Sequence, residues 1–444
     1  MEFSFYLCSE KRQFLPMILQ LTIKNVLSFK EEETFSFEAT NDTSYEDYQV
    51  VKVAPNVRIL RLALVYGANA SGKSNLVAIF DYLRRFWFNK PLDKDESTGV
   101  VPFLLDKQTP NEPSEFTLLF YIDGIKYKYH LQLTQKSVLN EELYIYPSIQ
   151  PASIFKRTLK NGVSKITFNI NRIKISDAAK EEIQLKCLPN MSVLAAFNQV
   201  NVAMPEMEKV VSGLKRQYLP AVGPDVILLR FVEQEILKNK DNTKDFILNY
   251  LKHADFNISD IITETITENI PEKILSAILN DDDISDEEKE RFKKEKTIQR
   301  TKTEFEHRVV DDAGKEEFYK LRKEIQSKGT LRTFGLAGVL HKVVKSDAFL
   351  AIDEIESSLH PRLIAFIIED FFKQKGQSQL LLTTHYDGLL AEDDLLRKDS
   401  IWFTNKRANG STELYSLADF KGLNRISSLQ RAYRYGRFGA VPNI

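Results

Sequence analysis

The sequence predicts an α/β fold, in which a mixed sheet is built around one strand–loop–helix unit and carries an inserted, mainly helical subdomain. Three observations support this prediction. A glycine-containing loop at 67–74 separates an apolar strand pattern from an amphipathic helix pattern. From about residue 300 onward, strand and helix patterns alternate, which is typical of parallel strands joined by crossover helices. Between these parts, over 150–300, the periodicity becomes helical and the charge density rises.

Length and composition exclude several classes of protein. The chain has 444 residues, which predicts a large domain with a second region. Its formal net charge is -1, which excludes a globally basic nucleic-acid coat but leaves a local basic groove open. The two cysteines, Cys8 and Cys187, exclude a disulfide framework and a cysteine-rich zinc site, and they fit a reducing compartment. No apolar run is long enough to span a bilayer, so we expect a cytoplasmic protein without membrane contact.

The first part of the chain consists mainly of strand patterns. Residues 1–16 form an N-terminal extension that makes a poor signal peptide, and Met17, at the start of an apolar pattern, is a candidate for the true start of the folded protein. The region 17–149 is predicted to be the first half of the main domain. Runs rich in β-branched and aromatic residues cover 18–23, 34–37, 59–66, 116–122 and 127–133. Asp123-Gly124, between the last two runs, is a hairpin signal.

The strongest motif is a complete G-x-x-x-x-G-K-S pattern. It consists of Gly67, Ala68, Asn69, Ala70, Ser71, Gly72, Lys73 and Ser74, and Asn75 follows it. The pattern comes after an apolar strand and opens a helix whose apolar residues share one stripe, namely Leu76, Ile79, Phe80 and Leu83. Such a loop turns backbone N–H groups toward phosphates, and the helix N-terminus adds its positive dipole end. We expect Lys73 to reach the β- and γ-phosphates of a nucleotide and the Ser74 hydroxyl to bind Mg²⁺.

The middle region, 150–300, is predicted to be a mainly helical insertion, with helical periodicity at 227–237 and 246–251. Its segment 280–296 is almost wholly charged, with acids leading and bases trailing. A solvated surface helix or a flexible linker is favoured there, and a partner-binding tail is the alternative. The region is too short and too aperiodic for long coiled-coil arms, so we expect a compact helical lid.

Two buried strand patterns in the last region, 301–444, end in polar residues. The first leads into Asp353 and Glu354, and the second, at 379–384, leads into His385. Ligands of open α/β sheets bind at the carboxyl ends of the strands. We expect Asp353 to hold Mg²⁺ through water and Glu354 to orient or deprotonate the attacking water. His385 is expected to contact the γ-phosphate, with an ordinary surface or core histidine as the alternative.

Two further segments each allow two interpretations. Ser327, Gly329 and Thr330 precede a helical pattern, and they form either an N-cap or an anion site presented to the ATP of another subunit. After His385, the sequence predicts a hairpin with its turn at Asn409-Gly410 and then a basic aromatic tail. This tail could stack on and neutralise nucleic acid, or it could pack on the domain, and packing is favoured. Its residues are Arg425, Arg431, Tyr433, Arg434, Tyr435, Arg437 and Phe438.

Together these motifs resemble the ATP-binding-cassette type heads of the structural-maintenance-of-chromosomes (SMC), RecF and overcoming-lysogenization-defect group. The chain looks closest to the stand-alone bacterial AAA-type ATPases of anti-phage defence systems. Residues 67–74 match the Walker A loop, with Ala70 where the group more often has glycine. Asp353-Glu354 is similar to Walker B with its catalytic glutamate, and His385 to the switch histidine.

Other segments extend the resemblance. Ser327, Gly329 and Thr330 are similar to the signature motif of this group, and 357–361, which includes Ser358, is similar to its D-loop. The opening 21–29 and the closing 433–442 also look typical of it. A Q-loop is less well defined. Gln199 is the candidate, and an ordinary helix-end glutamine is the alternative.

The resemblance implies ATP and Mg²⁺ as cofactors. It also implies a homodimer or higher oligomer in which Ser327, Gly329 and Ser358 complete the partner's ATP site in trans. We therefore expect an ATP-hydrolysing switch, the sensor or regulatory component of an anti-phage defence or abortive-infection system, acting with a separate effector protein such as a nuclease. One alternative is a RecF/SMC-like ATPase that binds DNA in repair or replication, and DNA or RNA stays open as a partner. A non-hydrolysing scaffold is a further alternative, against which Glu354 argues.

Overall fold

The computed structural model describes residues 16–226, 228–238, 242–253, 257–281, 284–392 and 394–441. The chain divides into two compact units. The first unit comprises Met1–Val226, Lys342–Ser357 and Ile364–Ile444, and the second comprises Ile227–His341 and Ser358–Leu363. Cys8 and residues 1–15 of the predicted extension lie outside the described residues.

The strands and helices of the described residues are numbered in chain order. The strands are β1 (Met17–Lys24), β2 (Glu33–Ser36), β3 (Val50–Ala54), β4 (Val57–Leu60), β5 (Leu62–Gly67), β6 (Ser114–Ile122), β7 (Ile125–Leu133), β8 (Val138–Tyr146), β9 (Ala152–Lys160), β10 (Val163–Phe168), β11 (Ile258–Asn269), β12 (Thr297–Val310), β13 (Glu316–Arg322), β14 (Phe349–Ile352), β15 (Gln379–Thr384), β16 (Ile401–Lys406) and β17 (Thr412–Ser416). The α-helices are α1 (Glu46–Gln49), α2 (Lys73–Phe88), α3 (Asp177–Lys186), α4 (Val193–Phe197), α5 (Pro205–Gln217), α6 (Leu229–Leu237), α7 (Thr243–His253), α8 (Glu272–Leu279), α9 (Asp286–Glu295), α10 (Lys328–Lys345), α11 (Pro361–Lys373) and α12 (Leu429–Arg434).

A five-stranded mixed sheet forms one layer of the first unit, in the order β14-β15-β5-β16-β17. Its first four strands run parallel, and β17 is an antiparallel edge strand. Strands β14, β15 and β5 are buried along their whole length, which explains their continuous apolar runs. Because parallel strands end at one edge of the sheet, the loops after these three neighbouring strands meet there.

A seven-stranded antiparallel sheet forms a second layer of the first unit, in the order β10-β9-β8-β7-β6-β1-β2. Helix α2 contacts both sheets. The Phe80 ring lies 5.1 Å from the Phe349 ring of β14, and the Trp87 ring lies 5.7 Å from the Tyr129 ring of β7. The predicted apolar stripe of α2 is fully buried between them. The α/β fold class, with a strand–loop–helix core in a mixed sheet, is confirmed.

One predicted strand is two strands in the structure. The run 59–66 divides at Arg61 into β4, which pairs with β3, and β5, which pairs with β15 and β16. Leu60 and Leu62 on either side of Arg61 are both buried, so their apolar pattern alone could not reveal the change of partner. At the predicted hairpin turn, Asp123 and Gly124 have φ values of 57° and 73°, the left-handed values that this turn requires.

The second unit contains helices α6 to α9, most of α10 and a three-stranded antiparallel sheet in the order β11-β12-β13. Buried Glu233 on α6 accepts hydrogen bonds from Thr303 Oγ1 (2.7 Å) and Lys323 Nζ (2.5 Å). The charged run predicted as a surface helix contains α9, which Ser285 caps and which has no buried residue. Residues 282 and 283 of that run lie outside the described residues.

The compact second unit begins at 227 rather than at 150, where the sequence patterns placed the start of the insertion, and it ends after 300. Strands β9 and β10 extend the antiparallel sheet of the first unit, because β9 pairs residue by residue with β8. A fully buried ion pair across this register, Arg157 Nη1 to Glu141 Oε2 at 3.3 Å, ties the two strands together. Residues 301–322 lie in strands β12 and β13 of the second unit. These strands are rich in charged residues and lack the alternation of apolar and polar residues by which strands are predicted.

Candidate functional site

The loop 67–74 runs from the end of β5 into α2, and both of its glycines are required by the local structure. A β-carbon added at Gly67 would lie 2.3 Å from Thr404 Oγ1 and 2.4 Å from Ser71 Oγ. Gly72 has a φ of 111°, a conformation that side chains other than glycine rarely adopt. The loop can therefore approach β16 closely only with glycine at these positions.

Three hydroxyl side chains, Ser28, Thr404 and Thr412, hold the loop from outside, and we call them the hydroxyl brace. Thr404 Oγ1 lies 2.6 Å from Ser71 Oγ. Thr412 Oγ1 donates to the Ser71 carbonyl oxygen at 2.8 Å and lies 2.7 Å from Ser28 Oγ. Thr404 and Thr412 were not predicted as site residues, whereas Ser28 belongs to the opening motif. The brace fixes the loop before any ligand binds.

Ala70 departs from the more common glycine, and the structure shows a consequence. Its φ is 58°, in the left-handed region where a β-carbon costs about 1 kcal/mol or more. Ala70, Asn69 and Ser74 are exposed at the turn of the loop, whereas Ser71 and Lys73 are buried. Asn75 is half-buried in the first turn of α2.

Lys73 is the charged centre of the loop. Its side chain is 5% exposed, and Nζ donates to the carbonyl oxygens of Gly67 (2.8 Å) and Ala68 (3.1 Å). Burial lowers the pKa of Lys73 to about 8, and the opposing attraction of Asp353, Glu354 and Glu356 only partly offsets this effect. The ammonium is thus poorly solvated, which favours capture of an anion.

The two acids that follow β14 are held by Thr383 on the neighbouring strand β15. Thr383 Oγ1 donates to Asp353 Oδ1 at 2.5 Å and accepts from the Glu354 backbone N–H at 2.8 Å. Asp353 is buried, whereas the Glu354 side chain is more open. Glu354 has a φ of 48°, so its backbone is held in a conformation that non-glycine residues seldom adopt. Backbone strain of this kind clusters at functional sites.

His385 connects the lysine to the glutamate. Its Nδ1 lies 3.4 Å from Lys73 Nζ, and its Nε2 lies 3.6 Å from Glu354 Oε1. The structure therefore brings Lys73, Glu354 and His385 together, as the order β14-β15-β5 requires. Its expected contact with the γ-phosphate stays a prediction.

Glu356 is a carboxylate of this site that the sequence analysis missed. Its Oε1 accepts a 2.5 Å hydrogen bond from the His385 backbone N–H. Its Oε2 is buried without a hydrogen-bond partner in the described part of the chain. Its position two residues after Glu354 was visible in the sequence, but no spacing rule distinguished it.

The residues expected to act in trans lie in the second unit. Ser327 caps α10, since its Oγ accepts from the Thr330 N–H at 3.0 Å. A β-carbon on Gly329 would lie 3.0 Å from the Ser358 carbonyl oxygen, so the two segments touch. The N-cap therefore describes the local structure of Ser327, which is exposed, as is Ser358. Their role toward another subunit stays a prediction.

The remaining candidates divide between packed and exposed positions. Gln199 lies just after α4, and its Nε2 donates back to the Ala195 carbonyl oxygen at 3.3 Å. In the tail, the Tyr433 ring lies 5.6 Å from the Tyr66 ring, and the Phe438 ring lies 5.6 Å from the Phe403 ring. Packing of the tail is thus confirmed for these two aromatics, whereas Tyr435 is 88% exposed. Pro442, at the end of the closing motif, lies outside the described residues.

The residues present fit a nucleoside triphosphate with Mg²⁺. The glycine cradle, the poorly solvated Lys73 ammonium and the start of α2 suit phosphate groups. Asp353 and Ser74 carry oxygen atoms of the kind that Mg²⁺ prefers. Among the described residues, no group of three or more His, Cys, Asp or Glu side chains could hold a metal ion.

The helices were also compared with the length and polarity that a membrane span requires. In the part of the chain that the structure describes, every helix is too short or too polar to cross a bilayer.

Comparison with protein families gives one match. Residues 62–172 and 232–391 match the family described as "AAA domain, putative AbiEii toxin, Type IV TA system", and together they make up more than half of the chain. The matched segments contain the loop 67–74, the acids Asp353 and Glu354, and His385. No curated protein matches the chain. The family match confirms the resemblance to AAA-type ATPases inferred from the motifs.

Three solved structures that resemble this chain are SMC heads. The SMC head domain from Thermotoga maritima has 13% identity, covers 90% of this chain and 98% of its own, and gives a TM-score of 0.38. A SmcHead bound to the C-winged helix domain of ScpA has 15% identity, with 94% and 99% covered and a TM-score of 0.41. An Smc head with an extended coiled coil, bound to the C-terminal domain of ScpA derived from Pyrococcus furiosus, has 14% identity, with 96% and 99% covered and a TM-score of 0.42.

Proposed function

The chain belongs to the AbiEii-type family of AAA domains, and from that premise we propose that it is an ATP-binding and ATP-hydrolysing homodimeric switch. The observation that carries this proposal is the contact between three groups of different chemistry. His385 lies 3.4 Å from the Lys73 ammonium and 3.6 Å from the Glu354 carboxylate. A cation, a base and a polar sensor at the mouth of a glycine cradle are what hydrolysis of a terminal phosphate needs.

In the proposed reaction, water attacks the γ-phosphorus, and ADP leaves with the bridging oxygen. Glu354 accepts the proton of the attacking water, and its fixed backbone keeps the carboxylate in place. Lys73 neutralises charge on the β- and γ-phosphates, and His385 contacts the γ-phosphate. Asp353 and Ser74 would hold Mg²⁺, which supplies Lewis-acid stabilisation of the phosphate charge.

We propose that two chains share each site. Ser327, Gly329 and Ser358 would contact the ATP held by a second copy. Ser327 and Ser358 are exposed, and Ser327 lies at the N-terminus of an 18-residue helix, where backbone N–H groups and the dipole favour an anion. ATP would then stabilise the dimer, and hydrolysis would release it.

We further propose that the dimer regulates a separately encoded effector in a bacterial anti-phage or abortive-infection system. The family description, which names a toxin and a toxin–antitoxin system, supports a role within a multi-protein defence system. A nuclease is one class of effector that an ATP switch of this kind could control. A tagged protein with Glu354→Gln, purified with ATP, should retain this effector, and ADP should release it.

The test of the proposed function uses Glu354→Gln. The variant should bind ATP as the wild type does but hydrolyse it about 100-fold more slowly, because it lacks the general base. It should also accumulate as an ATP-bound dimer in size-exclusion chromatography with light scattering. Glu369→Gln, on exposed α11 surface, is the matched control and should behave as wild type. Equal hydrolysis by Glu354→Gln and wild type would exclude the catalytic role of Glu354.

A second candidate function, DNA binding in repair or replication, is favoured by one observation. Arg431, Arg437 and the aromatic Tyr435 are exposed together on the tail, where they could contact a nucleic acid. In that case DNA should stimulate ATP hydrolysis, and the stimulation should fall steeply with added salt. Hydrolysis that does not respond to DNA, together with a co-purifying protein, would favour the switch.

A further inference from the structure

Helix α12, in the C-terminal tail, packs on strands that carry the ATP site. The buried Tyr433 ring lies 5.6 Å from the ring of Tyr66, the residue just before Gly67, and 5.7 Å from the ring of Phe403 on β16. The Tyr433 hydroxyl donates to the Ala440 carbonyl oxygen at 3.1 Å, which closes the tail on itself. This end of the tail therefore has a fixed position relative to β5 and β16.

The same helix binds the segment that follows His385. Arg434 donates from Nε to Asp387 Oδ2 (2.5 Å) and from Nη2 to Asp387 Oδ1 (3.0 Å), and Gln430 Nε2 lies 3.3 Å from Oδ1. Hydrogen bonding from Arg434 lowers the pKa of the Asp387 carboxyl, so Asp387 is ionised throughout the neutral range. A two-point contact of this kind fixes direction as well as distance.

His385 is consequently held on both sides. The His385 backbone N–H donates to Glu356 Oε1. Asp387, two residues later in the chain, is bound by Arg434. The imidazole contacts Lys73 and Glu354 at distances where a shift of about 1 Å would break both contacts, and misplacements of that size can cost on the order of 100-fold in rate.

From these contacts we propose that Arg434 is a positioning residue for His385: through Asp387 it fixes the sensor histidine against Lys73 and Glu354, and it makes the C-terminal tail part of the ATP-hydrolysing site. The proposal rests on the proposed ATPase function. It gives a role to an exposed arginine that makes a two-point contact with one carboxylate.

The first experiment separates positioning from binding. Arg434→Ala should lower kcat about tenfold and leave KM for ATP within about twofold, since Lys73 and the loop still bind the nucleotide. The double variant Asp387→Arg/Arg434→Asp re-forms the pair with the charges exchanged and should recover most of kcat. Arg431→Ala, assayed without DNA, is the matched control and should keep the wild-type kcat. Equal kcat values for Arg434→Ala and Arg431→Ala would overturn the proposal.

The second experiment does not depend on turnover. Hydrogen–deuterium exchange of the segment 384–392 should be faster in Arg434→Ala than in wild type or Arg431→Ala, and the charge-exchanged pair should slow it again. Exchange that is unchanged in Arg434→Ala would also overturn the proposal. If wild type fails to hydrolyse ATP, the proposed function fails, and that result is distinct from a wild type that hydrolyses ATP and an Arg434→Ala variant that matches it.

Discussion

The phosphate loop of the first unit and the signature-like segment of the second are held by different kinds of contact. Around the loop, Ser71 and Lys73 are buried, and Ser71 is held by Thr404 and Thr412, which lie 333 and 341 positions away in sequence. In the second unit, Ser327 is exposed, and its side chain bonds to Thr330, three residues away.

This difference indicates that the two regions are organised for different roles. A buried, braced loop is organised for its ligand before binding, so little ordering is needed when the nucleotide arrives. An exposed helix N-terminus keeps polar groups accessible, which suits a group that acts on a second molecule. The contrast predicts that substitutions in the first region disturb folding and binding together, whereas substitutions in the second disturb only the proposed dimer.

The largest effect should come from Gly67→Ala. The new β-carbon would lie 2.6 Å from the Thr404 carbonyl oxygen, which belongs to a central strand and cannot move aside. We expect the free energy of unfolding to fall by about 3 kcal/mol and ATP affinity to fall roughly 100-fold. Thermal unfolding measures the change in stability, and titration calorimetry measures the change in ATP affinity. Gly223→Ala, whose β-carbon would meet only an ordinary contact at 3.5 Å, should change neither. A stable Gly67→Ala variant that binds ATP would show that the loop is not close-packed.

The next largest effect concerns the signature-like segment of the second unit. Ser327→Asp keeps an N-cap, since aspartate caps helices well, but it directs a carboxylate at the partner's phosphates. We expect an unchanged unfolding temperature and a kcat about 30-fold lower, in keeping with repulsion between like charges at an interface. Ser327→Asn, which caps without charge, is the control and should stay within about threefold of wild type.

Mixing two impaired variants tests whether Ser327 acts in trans. Lys73→Met chains should be inactive alone, and Ser327→Asp chains should keep only about one thirtieth of the wild-type rate. At equal amounts, half of the dimers are mixed and each has one intact site, so about one quarter of the wild-type rate should return. A mixture no more active than its two components would mean that Ser327 does not serve the partner's site.

The site residues that could be predicted from the sequence are those that belong to a short motif of recognisable spacing. Lys73, Glu354 and His385 each follow an apolar run, and the general rule that ligands bind at carboxyl ends of strands brought them together. Thr404 and Thr412 have no such mark, because a threonine in an edge or central strand is ordinary. Their contacts with Ser71 span 333 and 341 positions, so only the sheet order reveals them.

In the second unit, two strands could not be predicted from the sequence either. Strand β12 alternates between acids, bases and threonines rather than between apolar and polar residues, and β13 is exposed over nearly its whole length. Both are stabilised by backbone pairing, which leaves no hydrophobic period in the sequence. Helix α2, which buries an apolar stripe, begins at Lys73, at the end of the loop from which the sequence predicted a helix.

A smaller effect should follow removal of one part of the hydroxyl brace. Thr412→Val keeps the shape of the side chain but leaves the Ser71 carbonyl oxygen and Ser28 Oγ without this partner. Loss of such a bond costs about 1 kcal/mol, so ATP should bind about fivefold more weakly. Thr22→Val, which removes a Thr–Thr contact from the antiparallel sheet, is the control. Equal ATP affinity in the two variants would show that the brace does not organise the loop.

The smallest effect should be a pH dependence that comes from Lys73. Its pKa is lowered to about 8 by burial, and the phosphates of a bound nucleotide would raise it again by favouring the charged form. Binding therefore takes up a proton once the pH exceeds the pKa of the free protein. ATP affinity should fall about fourfold between pH 7 and pH 8.5. Titration calorimetry in buffers of different ionisation enthalpy measures both the ATP affinity and the number of protons taken up on binding. Lys73→Arg keeps its charge over this range, so its affinity should not change. A flat wild-type profile would mean that Lys73 is better solvated than its contacts with Gly67 and Ala68 indicate.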